Sequence, residues 1–131
     1  MQQKALLFSG VAPDTKLGDF LVRLKPGIKL LSEVQGTGAT AEKGTRAKVR
    51  LDGWLSKGEP IRQDLMSEFV IGGRALIPGI EYSVEGMRVG GSRKVRISPH
   101  LAYKEAGVPG IIPADAVLTY EIELVSVEER T

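Results

Sequence analysis

The sequence predicts an α+β domain in which a bent antiparallel β-sheet of about five strands wraps around one short α-helix. Several stretches alternate apolar and polar residues with the two-residue period of half-buried strands. A single stretch repeats its apolar residues with helical spacing. The chain also has 16 Gly and 7 Pro but only 5 % aromatic residues. That composition favours short strands and tight turns over a helical bundle.

The clearest strand pattern lies at residues 46–55. Ala47, Val49 and Leu51 alternate there with charged residues, as expected of a strand with one buried face. Residues 56–59 have the composition of a hairpin turn that leads into the next strand. Further strand segments are predicted at residues 28–34, 60–63, 68–71, 93–98 and 117–127.

One amphipathic helix is predicted at residues 77–87. Pro78 suits the first helical position, where a missing N–H leaves no hydrogen bond unmade. Apolar residues then share one helical face. They are Ile77, Ile80, Val84 and Met87. The sheet would have to cover this face.

Charge and composition argue against several classes of protein. The formal net charge is +2, and the basic residues are interleaved with acidic ones or alternate along strands, which is typical of a solvated sheet face and gives no support for nucleic-acid binding. Cys is absent and His100 is the single histidine, so thiolate and multi-histidine metal sites are excluded and no metal is expected. A turn at residues 36–38 lacks the helix and Lys of a phosphate loop.

The length and the termini predict one domain in the cytoplasm. With 131 residues, the chain has the size of a single domain, which we place at residues 28–128. Residues 1–27 form an N-terminal extension that adds an edge strand or a short helix, with residues 21–25 as the favoured strand. No run of about 18 apolar residues and no signal-peptide pattern occurs, so no membrane association is expected.

The most informative loop lies at residues 102–113. Two Gly and two Pro prevent a helix there, while Val108, Ile111 and Ile112 place bulky apolar side chains in a segment expected at the surface. Such residues form either the wall of an apolar groove or a plug at one end of a small barrel. The pattern alone leaves both interpretations open.

Four motifs lie in and around this loop. They are Val95-Arg96-Ile97-Ser98-Pro99, Leu101-Ala102-Tyr103, Gly107-Val108-Pro109-Gly110-Ile111-Ile112-Pro113 and Leu118-Thr119-Tyr120-Glu121-Ile122-Glu123-Leu124. Together they resemble the C-terminal half of the FKBP-type peptidyl-prolyl cis-trans isomerases, and the resemblance extends over residues 28–128. It implies the fold predicted above, no cofactor, and isomerisation of X-Pro bonds in unfolded or exposed peptide segments during protein folding. The implied partners are proline-containing polypeptides and macrolide inhibitors.

The resemblance also implies a ligand pocket. Tyr103 matches the tyrosine whose hydroxyl bonds bound ligands, and Ile77 offers a backbone N–H because it lacks a capping side chain. The implied catalytic residues are Tyr103, Ile77, Ile112 and Tyr120. The implied substrate-binding residues are Leu51, Ile61, Arg62, Phe69, Leu76, Ile80, Val108 and Ile111. The alternative for the two tyrosines is that both are barrel-end aromatics with their hydroxyls in water.

Four of these positions differ from well-studied active members of the family. Leu51 stands where they have tyrosine, Ile61 where they have phenylalanine, Arg62 where they have aspartate, and Ile80 where a tryptophan forms the pocket floor. The floor stays apolar but loses a flat ring, and an acceptor becomes a cation. Two functions therefore stay open: a weak prolyl isomerase, and a non-catalytic module that holds a partner peptide or oligomerises through the same groove.

Overall fold

The structure is a computed structural model that describes residues 25–128. Its elements are β1 (Ile28–Val34), β2 (Arg46–Leu55), β3 (Pro60–Val70), α1 (Pro78–Val84), β4 (Ser92–Ile97), a 3₁₀ helix (Pro99–Leu101) and β5 (Leu118–Glu128). The strands form one five-stranded antiparallel sheet in the order β1-β4-β5-β2-β3. The predicted α+β fold class is confirmed.

Strand β5 is the centre of the sheet, between β4 and β2. Its apolar residues alternate with polar ones, and each is at most 3 % exposed: Leu118, Tyr120, Ile122 and Leu124. We call the face that carries them the inner face. Helix α1 lies on this face, where its Ile80 and Val84 belong to the same buried core as the β5 residues.

Helix α1 approaches β4 closely because its second residue is a glycine. A Cβ added at Gly79 would lie 2.4 Å from Cγ2 of Ile97, so no larger side chain fits without moving the helix. The predicted helix at residues 77–87 was too long, because Gly86 adopts φ +92° and the helix ends before it. Met87 is nevertheless buried in the core. No helix within residues 25–128 has the length and apolar content to cross a membrane.

Strand β3 was predicted as two short segments, at residues 60–63 and 68–71, but it is continuous. Asp64 has φ 55° and the pairing with β2 shifts at this point, which is the signature of a bulge. The bulge interrupts the alternation of side chains, so the pattern concealed the middle of the strand. The strands predicted at 93–98 and 117–127 are each displaced by one residue. The strand predicted at 21–25 lies almost entirely outside the described residues.

A buried ion pair joins two strands to the end of the helix. Nε of Arg93 donates to Oε2 of Glu33 at 2.7 Å, and the two side chains are only 7 % and 8 % exposed. The same guanidinium donates through Nη1 to the Ser83 carbonyl at 2.8 Å. A cation at the carboxyl end of a helix also offsets the partial negative charge there. Arg93 thus fixes α1 against β4 and β1.

Replacing Arg93 should destabilise the fold strongly. In Arg93→Met the Glu33 carboxylate stays buried without its partner, which costs about 3–5 kcal/mol. Urea unfolding followed by fluorescence measures the loss. Arg96→Met, an exposed change on the same strand, should stay within about 0.5 kcal/mol of the parent protein. Equal stabilities for the two variants would show that the buried pair does not hold the helix.

Candidate active site

The candidate site is built around Tyr120 on β5. Its ring lies across Gly53 of the neighbouring strand β2, because a Cβ added at Gly53 would be 2.6 Å from Cε1 of Tyr120. Gly53 pairs with Tyr120 on one side and with Arg62 of β3 on the other. A residue without a side chain therefore leaves the space that the ring occupies. This constraint brings an arginine and a tyrosine together across one glycine.

Tyr120 is a neutral, buried phenol. Its side chain is 3 % exposed. Burial raises the pKa of Tyr120 to about 12, the nearby Tyr103 adds to the rise, and the positive charge of Arg62 opposes it. At neutral pH the hydroxyl keeps its proton, as an ordinary phenol also would, and remains a hydrogen-bond donor.

Tyr103 follows the 3₁₀ helix and is half-buried against the core. Its carbonyl accepts the N–H of Gly107 at 3.0 Å. Gly107 has φ +58°, and a Cβ there would be 2.3 Å from the Ile112 carbonyl oxygen. Only glycine fits this turn. The backbone therefore holds Tyr103 at the base of the loop that follows it.

The loop itself is a closed, hydrogen-bonded turn. Val108 and Ile112 exchange two backbone hydrogen bonds, each 2.8 Å long. Ile112 is 6 % exposed and belongs to the core, whereas Ile111 is 57 % exposed. The two interpretations of the loop thus apply to different residues: Ile112 packs as a plug would, and Ile111 offers apolar area to solvent.

Ile77 occupies the N-cap of α1 with an extended backbone (φ −60°, ψ 146°) and no side-chain cap. Its carbonyl accepts the N–H of Ile80 at 3.0 Å. In the described part of the chain nothing accepts the Ile77 N–H itself. Because Pro78 has no N–H to offer, Ile77 provides the backbone donor at the start of the helix.

Glu81 holds the loop that leads to Ile77. Glu81 is only 5 % exposed. Its carboxylate accepts three backbone N–H groups: Oε1 from Gly72 at 2.9 Å and Arg74 at 3.3 Å, and Oε2 from Leu76 at 2.9 Å. The sequence patterns did not predict a place for Glu81 in the site. The available signal was its position directly after Ile80, within the helix whose apolar residues predict burial.

The predicted site residues fall into three groups. Those in the buried core are Leu51, Phe69, Ile80, Ile112 and Tyr120. Those half-buried and packed against the same core are Ile61, Leu76, Ile77, Tyr103 and Val108. Those exposed to solvent are Arg62 and Ile111. The buried group would form the floor of a pocket, and the other two groups would form its walls and rim.

A cavity of about 510 Å³ lies elsewhere and shares only Leu76 with the predicted pocket. Its lining includes Lys43, Arg74, Glu81 and Tyr82. No motif in the sequence predicted this cavity. It does not replace the predicted site, because its lining lacks both tyrosines discussed above. Within residues 25–128, no three His, Asp or Glu side chains converge as metal ligands could.

Comparisons with known proteins agree with the motifs. The sequence model of a family described as FKBP-type peptidyl-prolyl cis-trans isomerase matches residues 38–125. Peptidyl-prolyl cis-trans isomerase FPR2 of Saccharomyces cerevisiae is 38 % identical over 119 residues, which cover 91 % of this chain and 79 % of that protein. The 39 kDa FK506-binding nuclear protein of Drosophila melanogaster is 34 % identical over 105 residues, 77 % of this chain and 29 % of that protein. FK506-binding protein 4 of Dictyostelium discoideum is 35 % identical over 108 residues, 81 % of this chain and 30 % of that protein. The chain spans most of the first relative and less than a third of the other two.

Glu81→Gln should lower stability measurably, because an amide nitrogen cannot accept the N–H groups that a carboxylate oxygen accepts. Losing hydrogen bonds to a charged group costs about 1.5–3 kcal/mol, readable from urea unfolding. Glu85→Gln is the control, since Glu85 is exposed just after the same helix. If both changes have the same small effect, the carboxylate is not what holds the loop.

The raised pKa of Tyr120 predicts a loss of stability at alkaline pH. The unfolded chain releases this proton near the ordinary pKa of 10.0, whereas the folded chain holds it until about 12. The stabilisation is complete below pH 10 and falls as pH rises towards 12. Unfolding free energies measured across this range should therefore fall less steeply for Tyr120→Phe than for the parent protein. Tyr82→Phe, which changes an exposed tyrosine, should keep the parental slope, and a Tyr120→Phe slope equal to it would contradict the assignment.

Proposed function

This chain belongs to the FKBP-type peptidyl-prolyl cis-trans isomerase family, and we propose that residues 28–128 form its isomerase domain, with the site around Tyr103, Tyr120 and Ile77. The reaction interconverts the cis and trans forms of an X-Pro peptide bond. The proposed substrates are proline-containing segments that are unfolded or exposed. A role in protein folding and a location in the cytoplasm remain predictions.

The chemistry needs neither a nucleophile nor a cofactor. The barrier of about 18–20 kcal/mol arises from the amide resonance that is lost when the bond twists. In the twisted state the carbonyl carries less negative charge and the nitrogen less positive charge. A water-poor, apolar surface therefore favours the twisted state over the more polar planar one.

The observation that carries this proposal is an uncapped helix start beside an apolar core that carries two phenols. The Ile77 N–H would donate to a carbonyl of the bound peptide, and the Tyr103 hydroxyl would donate to a second one. The buried, neutral Tyr120 and Ile112 would line the side on which the prolyl ring packs. Each donor would fix the peptide while the X-Pro bond turns.

The substitutions in the pocket predict a slow enzyme. Ile80 gives the prolyl ring no flat surface to stack on, and aromatic pairs contribute about 0.5–1.5 kcal/mol beyond their buried area. The missing flat surface at Ile80 also predicts weak binding of macrolides, a ligand class suggested by the FK506-binding names of two relatives. The missing flat ring also supports the second candidate function, a module that binds peptides without catalysing their isomerisation.

Catalysis is tested by refolding a protein whose slow phase is limited by proline isomerisation, together with a proline-containing tetrapeptide assay. We expect both rates to rise in proportion to the concentration of this protein. Tyr103→Phe, which removes only a hydroxyl, should lower the catalysed rate, while Tyr82→Phe on the exposed side of α1 should not. Rates equal to the uncatalysed ones in both assays, with peptide binding retained, would establish the binding module instead.

The loop offers a second test, because its neighbouring isoleucines differ in exposure. Ile111→Ala should weaken peptide binding and shift the melting temperature little, since Ile111 is 57 % exposed. Ile112→Ala should lower stability by about 2–5 kcal/mol, the range for a buried isoleucine. Isothermal titration with a proline peptide and thermal unfolding measure the two effects. A large stability loss in Ile111→Ala with binding intact would assign the whole loop to the core.

A further inference from the structure

Arg62 is an exposed cation without an ionic partner in the described chain. The ion pairs within residues 25–128 use Arg50 and Arg93, and none includes Arg62. The nearest acidic residue along β3 is Asp64, whose carboxylate lies 3.0 Å from Nε of Arg50. Asp52, on the facing strand, accepts the N–H of Asp64 at 2.7 Å. The acids beside Arg62 in the sheet are therefore engaged elsewhere.

Arg62 also lies beside the reacting part of the site. It is the cross-strand partner of Gly53, whose other partner is Tyr120. Gly53 contributes no side chain between the two strands, and the Tyr120 ring fills the space above it. The charge of Arg62 is close enough to oppose the rise in the pKa of Tyr120. Only Gly53 of β2 thus separates Arg62 on β3 from the phenol on β5 that would line the prolyl pocket.

We propose that Arg62 sets a substrate preference, favouring X-Pro bonds in which X is aspartate or glutamate. This inference rests on the proposed function, because it concerns the same site. The carbonyl of residue X belongs to the X-Pro peptide bond that isomerises. The side chain of X is therefore held nearer to the site than any other side chain of the peptide except that of proline. With the prolyl ring on the apolar side, the X side chain reaches the exposed rim where Arg62 stands.

The size of the effect follows from the exposure of Arg62. Ion pairs between exposed groups are weak because water and salt screen them. The preference for an acidic over a neutral X should therefore be about two- to fivefold in kcat/KM. A lysine at X should be disfavoured by a similar factor, since like charges repel. Both effects should shrink at about 1 M NaCl, where the screening length falls to about 3 Å.

The test uses three tetrapeptides, Ala-Glu-Pro-Phe, Ala-Gln-Pro-Phe and Ala-Lys-Pro-Phe, with each uncatalysed rate subtracted. Glutamate and glutamine have nearly the same shape, so their ratio of kcat/KM isolates the charge. We expect glutamate to exceed glutamine and glutamine to exceed lysine in the parent protein. Arg62→Gln should bring the ratios towards one, and Arg62→Glu should reverse their order. Arg96→Gln, an exposed change on β4 with the same loss of charge, should keep the parental order.

The outcomes separate the two proposals. If the glutamine peptide is accelerated but glutamate gives no advantage, or if Arg62→Gln keeps the parental ratio, Arg62 is a solvated surface charge and the inference is wrong while the isomerase function stands. If none of the three peptides is accelerated, the proposed function fails and the substrate preference fails with it. A preference that disappears equally in Arg96→Gln reflects net charge alone and also overturns the inference.

Discussion

The candidate site exists because a seven-residue helix is held against the inner face of the sheet. Isolated helices shorter than about 12–15 residues are marginal in water, so α1 depends on its surroundings. Gly79 allows the close approach to Ile97, and the buried ion pair of Arg93 and Glu33 fixes the far end. Glu81 ties the preceding loop to the helix through three N–H groups. Without these contacts Ile77 would have no defined position.

Charged groups in this molecule have two different roles, which depend on whether the group is buried or exposed. Arg93 and Glu81 are buried and hydrogen-bonded to several neighbouring polar groups, so they determine the position of α1. Arg62 is exposed and stands beside a phenol whose pKa burial raises to about 12. The buried charged groups hold the helix that forms part of an apolar, water-poor surface. The exposed Arg62 adds a positive charge at the rim of that surface. Such a surface can stabilise a twisted amide without any group that reacts.

The sequence predicted the fold well where periodicity was regular, as in β2 and in the β5 residues around Tyr120. The prediction failed where the backbone departs from the regular spacing of strand or helix. The bulge at Asp64 made β3 look like two separate strands. The positive φ of Gly86 ends α1, although the apolar pattern predicted a helix as far as Met87. Family resemblance supplied the site residues, but not their burial. The role of Glu81 was not predicted, because it depends on backbone N–H groups that only the folded loop brings together.

The central claim is that an X-Pro segment binds over the start of α1. The most direct measurement is a ¹H–¹⁵N NMR titration of the labelled protein with a proline-containing tetrapeptide. The Ile77 amide should move downfield as it gains an acceptor, together with amides around Ile111 and Tyr103. Shifts confined to the amides of Lys43, Arg74 and Tyr82, which line the separate cavity, would place the ligand elsewhere and contradict the claim.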